Sequence, residues 1–216
     1  MKNLVFRLDR EAERLIEILD AHPVAGALFA GTITADDYAA YLEQTEYYVG
    51  AARELLRASG ERLLATRQHP VLARLLIEKA DEEAGHDVWA RADRAAIGCS
   101  GAGSGPNVAV QAYLFGHRFE AELGSGAAFL GTAYVLEALS ARRARSTVRN
   151  LLLRSRIPGI EKAVRFLRAH GEEDQGHIAQ LERLLGSFSD PVETEAILRS
   201  ARRTRLFFPG FFPSSR

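Results

Sequence analysis

The chain has almost no cysteine, no excess of charge and no long apolar run, and each absence removes a class of protein. Of its 216 residues only Cys99 is a cysteine, which excludes an internal disulfide framework and a cysteine-rich zinc site. Its 28 basic residues balance 28 acidic ones, so no net field favours nucleic acid or an anionic membrane as a partner.

Apolar stretches are also too short for export or membrane insertion. The longest nearly apolar run, residues 126–139, contains Glu137 and falls short of the roughly 20 residues that a membrane span needs. Charged residues interrupt the N-terminal stretch before it could form the core of a signal peptide. We therefore expect a cytoplasmic protein that binds neither nucleic acid nor membrane.

Helical periodicity dominates the chain. Apolar residues recur at spacings of three and four, and no stretch has the alternation typical of a strand. The predicted fold is all-α, a single-domain bundle of about seven helices over residues 1–206 followed by an aromatic tail, 207–216. Four phenylalanines in this tail are too apolar to remain in water, so the tail should fold back or contact a second subunit, which makes a homodimer possible.

Capping and turn signals predict where the helices begin and end. Asp9 is expected to cap a first helix ending near Leu19, and Thr34 to open a long helix that ends near Gly60. Proline suits a first helical turn, so His22-Pro23 should begin a short helix that Gly31 ends. Further helices are predicted over residues 71–95, 107–123, 126–154 and 158–185, with a closing helix after Asp190.

Ionisable residues stand at positions that the helical period assigns to the core. In the helix predicted over 158–185, His170, Asp174 and His177 fall within an arc of about 60° on the apolar face at about 100° per residue. Unpaired polar groups buried there would cost several kcal/mol, so we expect them to be hydrogen-bonded or to bind metal.

Two other helices carry matching residues. Glu83 and His86 are three residues apart and project from one face, although Glu82, four residues before His86, is an alternative. Glu137 is the single charged residue in the apolar run 127–139 and needs a cationic partner.

A fourth carboxylate comes from the first long helix. Glu46 is in register with the apolar residues Leu42 and Val49, whereas Glu43, the alternative, lies off that stripe.

Together these residues form the pattern of a dinuclear centre. Helix-bundle di-iron sites take a carboxylate from each of two helices and an acid-x-x-His pair from each of two others. Carboxylates and imidazoles without thiolate favour iron or manganese over structural zinc. His170 and His177 are about 10.5 Å apart along a helix, which suits one histidine for each of two metals. The candidate ligands are Glu46, Glu83, His86, Glu137, His170, Asp174 and His177.

The same pattern resembles the haem-oxygenase-like di-iron oxidases and oxygenases, a family of iron-containing redox enzymes that shares its fold with thiaminase II and pyrroloquinoline-quinone synthase. Its signature is a glutamate, then acid-x-x-His, a lone glutamate, and His-x-x-x-Asp-x-x-His, and all seven positions are filled here. Residues 22–44 also look like the entry helices of this fold.

The resemblance implies a biosynthetic enzyme whose seven ligands are also its catalytic residues. It implies two Fe(II) ions, with manganese possible at one site, and dioxygen as co-substrate. The substrate would be a small molecule: an amino acid, an amine or a fatty-acid-like compound.

Two further interpretations of the sequence remain open. The chain could be an enzyme like thiaminase II or pyrroloquinoline-quinone synthase that lacks di-iron, although a thiaminase needs a nucleophilic cysteine and Cys99 lies in the glycine-rich loop 98–106. It could also be a helical iron-binding protein without catalytic activity.

Overall fold

A computed structural model describes residues 4–101 and 103–214, except the side chains of residues 172–175. These residues form nine α-helices and three short 3₁₀ helices, without a strand in the described ranges. The α-helices are α1 (Leu4–Ala21), α2 (Pro23–Ala30), α3 (Ala35–Ala65), α4 (Pro70–Glu82), α5 (His86–Ala96), α6 (Val108–Glu122), α7 (Phe129–Arg154), α8 (Arg165–Leu185) and α9 (Pro191–Phe207). The 3₁₀ helices are Gly126–Ala128, Ile160–Lys162 and Phe208–Phe211. The predicted all-α class is confirmed, with nine α-helices in the described ranges rather than about seven.

Side-chain caps begin four of the nine α-helices in the described ranges. Thr34 accepts a hydrogen bond from the Asp37 backbone N–H, and Asn107 and Asp190 accept equivalent bonds at the starts of α6 and α9. Gly31 ends α2 with φ 76°, a left-handed conformation that glycine adopts without strain. A side chain at Gly31 would also collide with the backbone of Asn150 in α7.

The single helix predicted over residues 71–95 is wrong. The chain turns after Glu82 and resumes as α5 at His86, because Gly85 takes a left-handed conformation with φ 91°. Glu83 therefore lies in the turn, and His86 begins a new helix.

Three other helix ends differ from the predictions. The first helix already begins at Leu4, so Asp9 does not cap it but pairs with Arg142 on α7. The long helix α3 continues through Gly60 to Ala65, because Gly60 allows close approach of the Ala73 carbonyl rather than ending the helix. The last long helix begins at Arg165 instead of residue 158, after the left-handed Gly159.

The long helix α7 lies at the centre of the bundle. It packs against α8 most extensively and also against α9, α1 and α2, while α3 packs against α4, α5 and α6. A buried hydrogen bond from the Tyr38 hydroxyl to the Ala163 carbonyl (2.6 Å) joins α3 to the segment before α8. These contacts place α3, α5, α7 and α8 around one interior space.

The aromatic tail packs back onto its own chain. Phe208, Phe211 and Phe212 are buried, and the Asn107 side-chain amide donates a hydrogen bond to the Gly210 carbonyl at 2.8 Å. Since these rings are covered by the chain itself, the tail gives no support to a homodimer, which stays a prediction. Within the described ranges, every helix is too short or too polar to cross a membrane.

Candidate metal centre

A cavity of about 180 Å³ opens between α3, α4, α5, α7 and α8. Five of the seven predicted ligands line it: Glu83, His86, Glu137, His170 and His177. Apolar and aromatic side chains form most of the remaining wall. The structure thus gathers the polar residues of three sequence segments around one interior space.

Three of these residues can share a single metal ion. One oxygen of Glu83 and one nitrogen each from His86 and His170 lie within 4.8 Å of one another, and all three residues are partly buried. Glu83 Oε2 also lies 2.9 Å from His86 Nδ1, so the carboxylate and the imidazole are in direct contact.

Neighbouring groups fix the two imidazoles. His170 Nδ1 lies 2.9 Å from the Phe166 carbonyl one helical turn earlier, and as the donor there it leaves Nε2 available to a metal. The His86 ring stacks on the single tryptophan, Trp89, with centroids 4.2 Å apart, and meets the His170 ring edge-on at 5.3 Å. Contacts with neighbouring residues therefore fix the orientations of both imidazole rings.

The second pair comes from α7 and α8. Glu137 Oε2 lies 3.6 Å from His177 Nδ1, and both side chains border the cavity. Asp174 belongs to α8, but its side chain lies outside the described residues, so its predicted role as a ligand stays a prediction.

Lys79 is a cavity residue that sequence reasoning missed. Its ammonium nitrogen lies 3.6 Å from Glu83 Oε1 and 3.3 Å from Glu82 Oε2. Burial alone would raise the pKa of Glu83, but the His86 imidazole and the Lys79 ammonium hold that pKa below its ordinary value. Burial alone would lower the pKa of Lys79, but Glu83, Glu137 and Glu82 together raise that pKa above its ordinary value. The available signal was the four-residue spacing between Lys79 and Glu83.

Asp93 is a second residue whose role was not predicted. It is 1% exposed and accepts a hydrogen bond from the Phe166 backbone N–H at 2.9 Å, at the start of α8. This carboxylate caps α8 from a different helix and so positions His170. Burial raises the pKa of Asp93, although the backbone N–H groups of Phe166 and Arg165 act in the opposite direction.

The predicted ligand Glu46 lies apart from the others. Its Oε1 accepts a 2.8 Å hydrogen bond from Arg91, its Oε2 lies 3.5 Å from Arg94, and it does not border the cavity. Glu43, its rival on the same helix, accepts hydrogen bonds from Ser104 and from the Gly105 N–H. The α3 wall of the cavity consists instead of Tyr41, Tyr48, Val49, Ala52 and Leu56.

The two alternative carboxylates, Glu82 and Glu83, differ in exposure. The Glu82 side chain is 65% exposed, whereas that of Glu83 is 16% exposed and faces the cavity. Geometry thus favours Glu83.

Solved structures share the fold over nearly the whole chain. A domain of unknown function with a haem-oxygenase-like fold from Shewanella denitrificans is 17% identical over 94% of this chain and 87% of its own, with a TM-score of 0.80. A TenA homologue from P. horikoshii is 17% identical over 95% of this chain and 96% of its own, with a TM-score of 0.69. At this identity the likeness establishes the fold alone, and it confirms the predicted haem-oxygenase-like architecture.

Sequence comparison gives the family. No curated protein matches the chain significantly. The model of the family described as iron-containing redox enzyme matches residues 39–207, which include every predicted ligand. The chain belongs to this family of iron-containing redox enzymes and has its haem-oxygenase-like fold.

Proposed function

We propose that the protein is a non-haem di-iron oxidase or oxygenase that uses dioxygen to oxidise a small organic substrate. Glu83, His86 and His170 would hold one iron ion, and Glu137 and His177, with Asp174, would hold the other. Glu46 is not part of this proposed ligand set, because its carboxylate is held by two arginines.

The observation that carries the proposal is the meeting of Glu83, His86 and His170 beside an apolar cavity. Each offers an oxygen or nitrogen ligand, as iron(II) prefers, and the described part of the site contains no thiolate. Cys99, the residue that a thiaminase-like mechanism would need as nucleophile, does not border the cavity.

The residues of the chain bind, orient and protect the reacting groups. Bound iron(II) would supply the electrons and open coordination positions that dioxygen activation requires. The Phe166 carbonyl fixes the proton on His170 Nδ1, and the ring of Trp89 limits rotation of His86. The apolar wall excludes water from the substrate, which suppresses side reactions.

Oxygen consumption tests the activity. Protein loaded with Fe(II) without oxygen should consume dioxygen when a substrate of the right class is added, and His170→Ala should abolish that consumption. His69→Ala is the matched control, because His69 pairs with Glu193 away from the cavity. Iron binding without substrate-dependent oxygen uptake would favour a non-catalytic iron-binding protein.

A further inference from the structure

The cavity beside the proposed ligands is polar on one side and apolar elsewhere. Apart from the proposed ligands, the charged residues that line it among the described side chains are Lys79, which pairs with Glu82 and Glu83, and Arg143, which donates to Asp20 at 3.1 Å. The remaining described wall is aliphatic, aromatic or hydroxyl-bearing. This lining favours a substrate with an apolar group over a compact polar one.

The volume of the cavity limits the size of that group. At about 180 Å³ it is slightly larger than the roughly 150 Å³ of an apolar cavity that binds one benzene molecule. It therefore suits one ring or a chain of about six to eight carbon atoms.

The C-terminal segment forms part of the wall away from the ligands. The Phe212 ring stacks on Tyr41 of α3 with centroids 4.8 Å apart and planes 9° apart, and both residues line the cavity. The Asn107–Gly210 hydrogen bond of 2.8 Å anchors this segment to the start of α6. Phe212 thus forms a fixed end of the cavity.

Distance along α3 separates this boundary from the metal ligands. Val49 borders a surface groove together with Glu83, whereas Tyr41 contacts Phe212. Val49 and Tyr41 are eight residues apart in one helix, about 12 Å along its axis. The apolar group of a substrate whose reacting end lies at the proposed ligands would therefore extend towards Phe212.

We propose that the substrate carries an apolar group of about six to eight carbon atoms and that Phe212 determines its maximum length. The position of the reacting end depends on the proposed function, whereas binding of the apolar group does not require iron.

A homologous series of neutral probes tests this inference on the full-length protein, both metal-free and loaded with Fe(II) under anaerobic conditions. Binding of the 1-alkanols from butanol to decanol is measured by calorimetry and by fluorescence of Trp89, which stacks on His86. Affinity should rise by about fourfold per methylene and stop rising near octanol. In Phe212→Leu, the chain length at which affinity stops rising should increase by one or two carbon atoms.

The matched control is Phe211→Leu. Phe211 belongs to the same buried segment but does not itself line the cavity, so its replacement disturbs the segment without removing a side chain of the cavity wall. Its chain-length limit should equal that of the unmodified protein. Absence of binding, a limit unchanged in Phe212→Leu, or an equal shift in both variants would overturn the proposal. Normal alkanol binding combined with failure to bind iron would instead refute only the proposed function.

Discussion

The two sides of the cavity differ in chemistry although both belong to the same helical bundle. The ligand side, built by the turn before α5 and by α5, α7 and α8, carries Glu83, His86, Glu137, His170 and His177, whereas the α3 side carries aromatic and aliphatic residues. On α3 the carboxylates Glu43 and Glu46 are turned to other partners. One side is thus suited to bind metal, and the other to bind the apolar part of a substrate.

The largest expected effect is on the ligand side. His86→Ala should weaken Fe(II) binding by about 100-fold or more, because loss of even an outer-shell partner costs 10–100-fold. Equilibrium titration without oxygen measures the dissociation constant. An affinity close to that of the unmodified protein would remove His86 from the ligand set.

The next largest effect is on the stability of the folded protein, through the helix α8 that carries His170 and His177. Asp93→Ala leaves the buried Phe166 N–H without its acceptor, which should lower the free energy of unfolding by about 2 kcal/mol. Chemical denaturation measures the loss, and iron affinity should fall as the start of α8 loosens. Asp93→Asn keeps a side-chain oxygen, so its free energy of unfolding and its iron affinity should fall less than those of Asp93→Ala.

Asp93 should also contribute to the pH dependence of stability. Because its folded-state pKa is raised, the folded protein binds more protons than the unfolded chain between the ordinary carboxyl pKa and the raised value. The contribution of Asp93 to the free energy of unfolding is therefore present at low pH, and it is lost as the pH rises through the pKa of Asp93 in the folded protein. Subtracting the unfolding free energies of Asp93→Asn from those of the unmodified protein across acidic pH should reveal this slope; a difference of opposite sign would contradict it.

A smaller effect on iron affinity is expected from Lys79, the positively charged residue on the ligand side. Lys79→Gln removes a positive charge that opposes a bound divalent ion, so Fe(II) affinity should rise on the order of tenfold. The same titration measures this change. A marked loss of affinity would indicate that Lys79 is needed to position Glu83.

The smallest effect is expected on the α3 side. Glu46→Gln should leave iron affinity unchanged and cost at most about 1 kcal/mol of stability, since the carboxylate pairs with the largely exposed Arg91 and with Arg94. Loss of one bound iron in this variant would show that Glu46 is a ligand after rearrangement.

Sequence periodicity was sufficient for the helical class and for the cavity positions of His170, His177 and Glu137, since these depend only on which face of a regular helix is buried. It failed at Gly85, because a single left-handed residue ended α4 and placed Glu83 in a turn. It also did not report the partners of Glu46: the register with Leu42 and Val49 was correct, but Arg91 and Arg94, which pair with this carboxylate, come from another helix, and the ligand role of Glu46 stays a prediction. Such partners depend on tertiary packing, which local periodicity does not report.

Glu83, His86 and His170 are proposed to form an iron site, and the adjacent pair Glu82 and Glu83 offers a matched test of it. Fe(II) should be titrated without oxygen into Glu83→Gln and Glu82→Gln, with bound iron measured after gel filtration. We expect about two irons per chain for the unmodified protein and for Glu82→Gln, and loss of the iron that Glu83 would bind in Glu83→Gln. Equal iron content in the two variants would contradict the proposal.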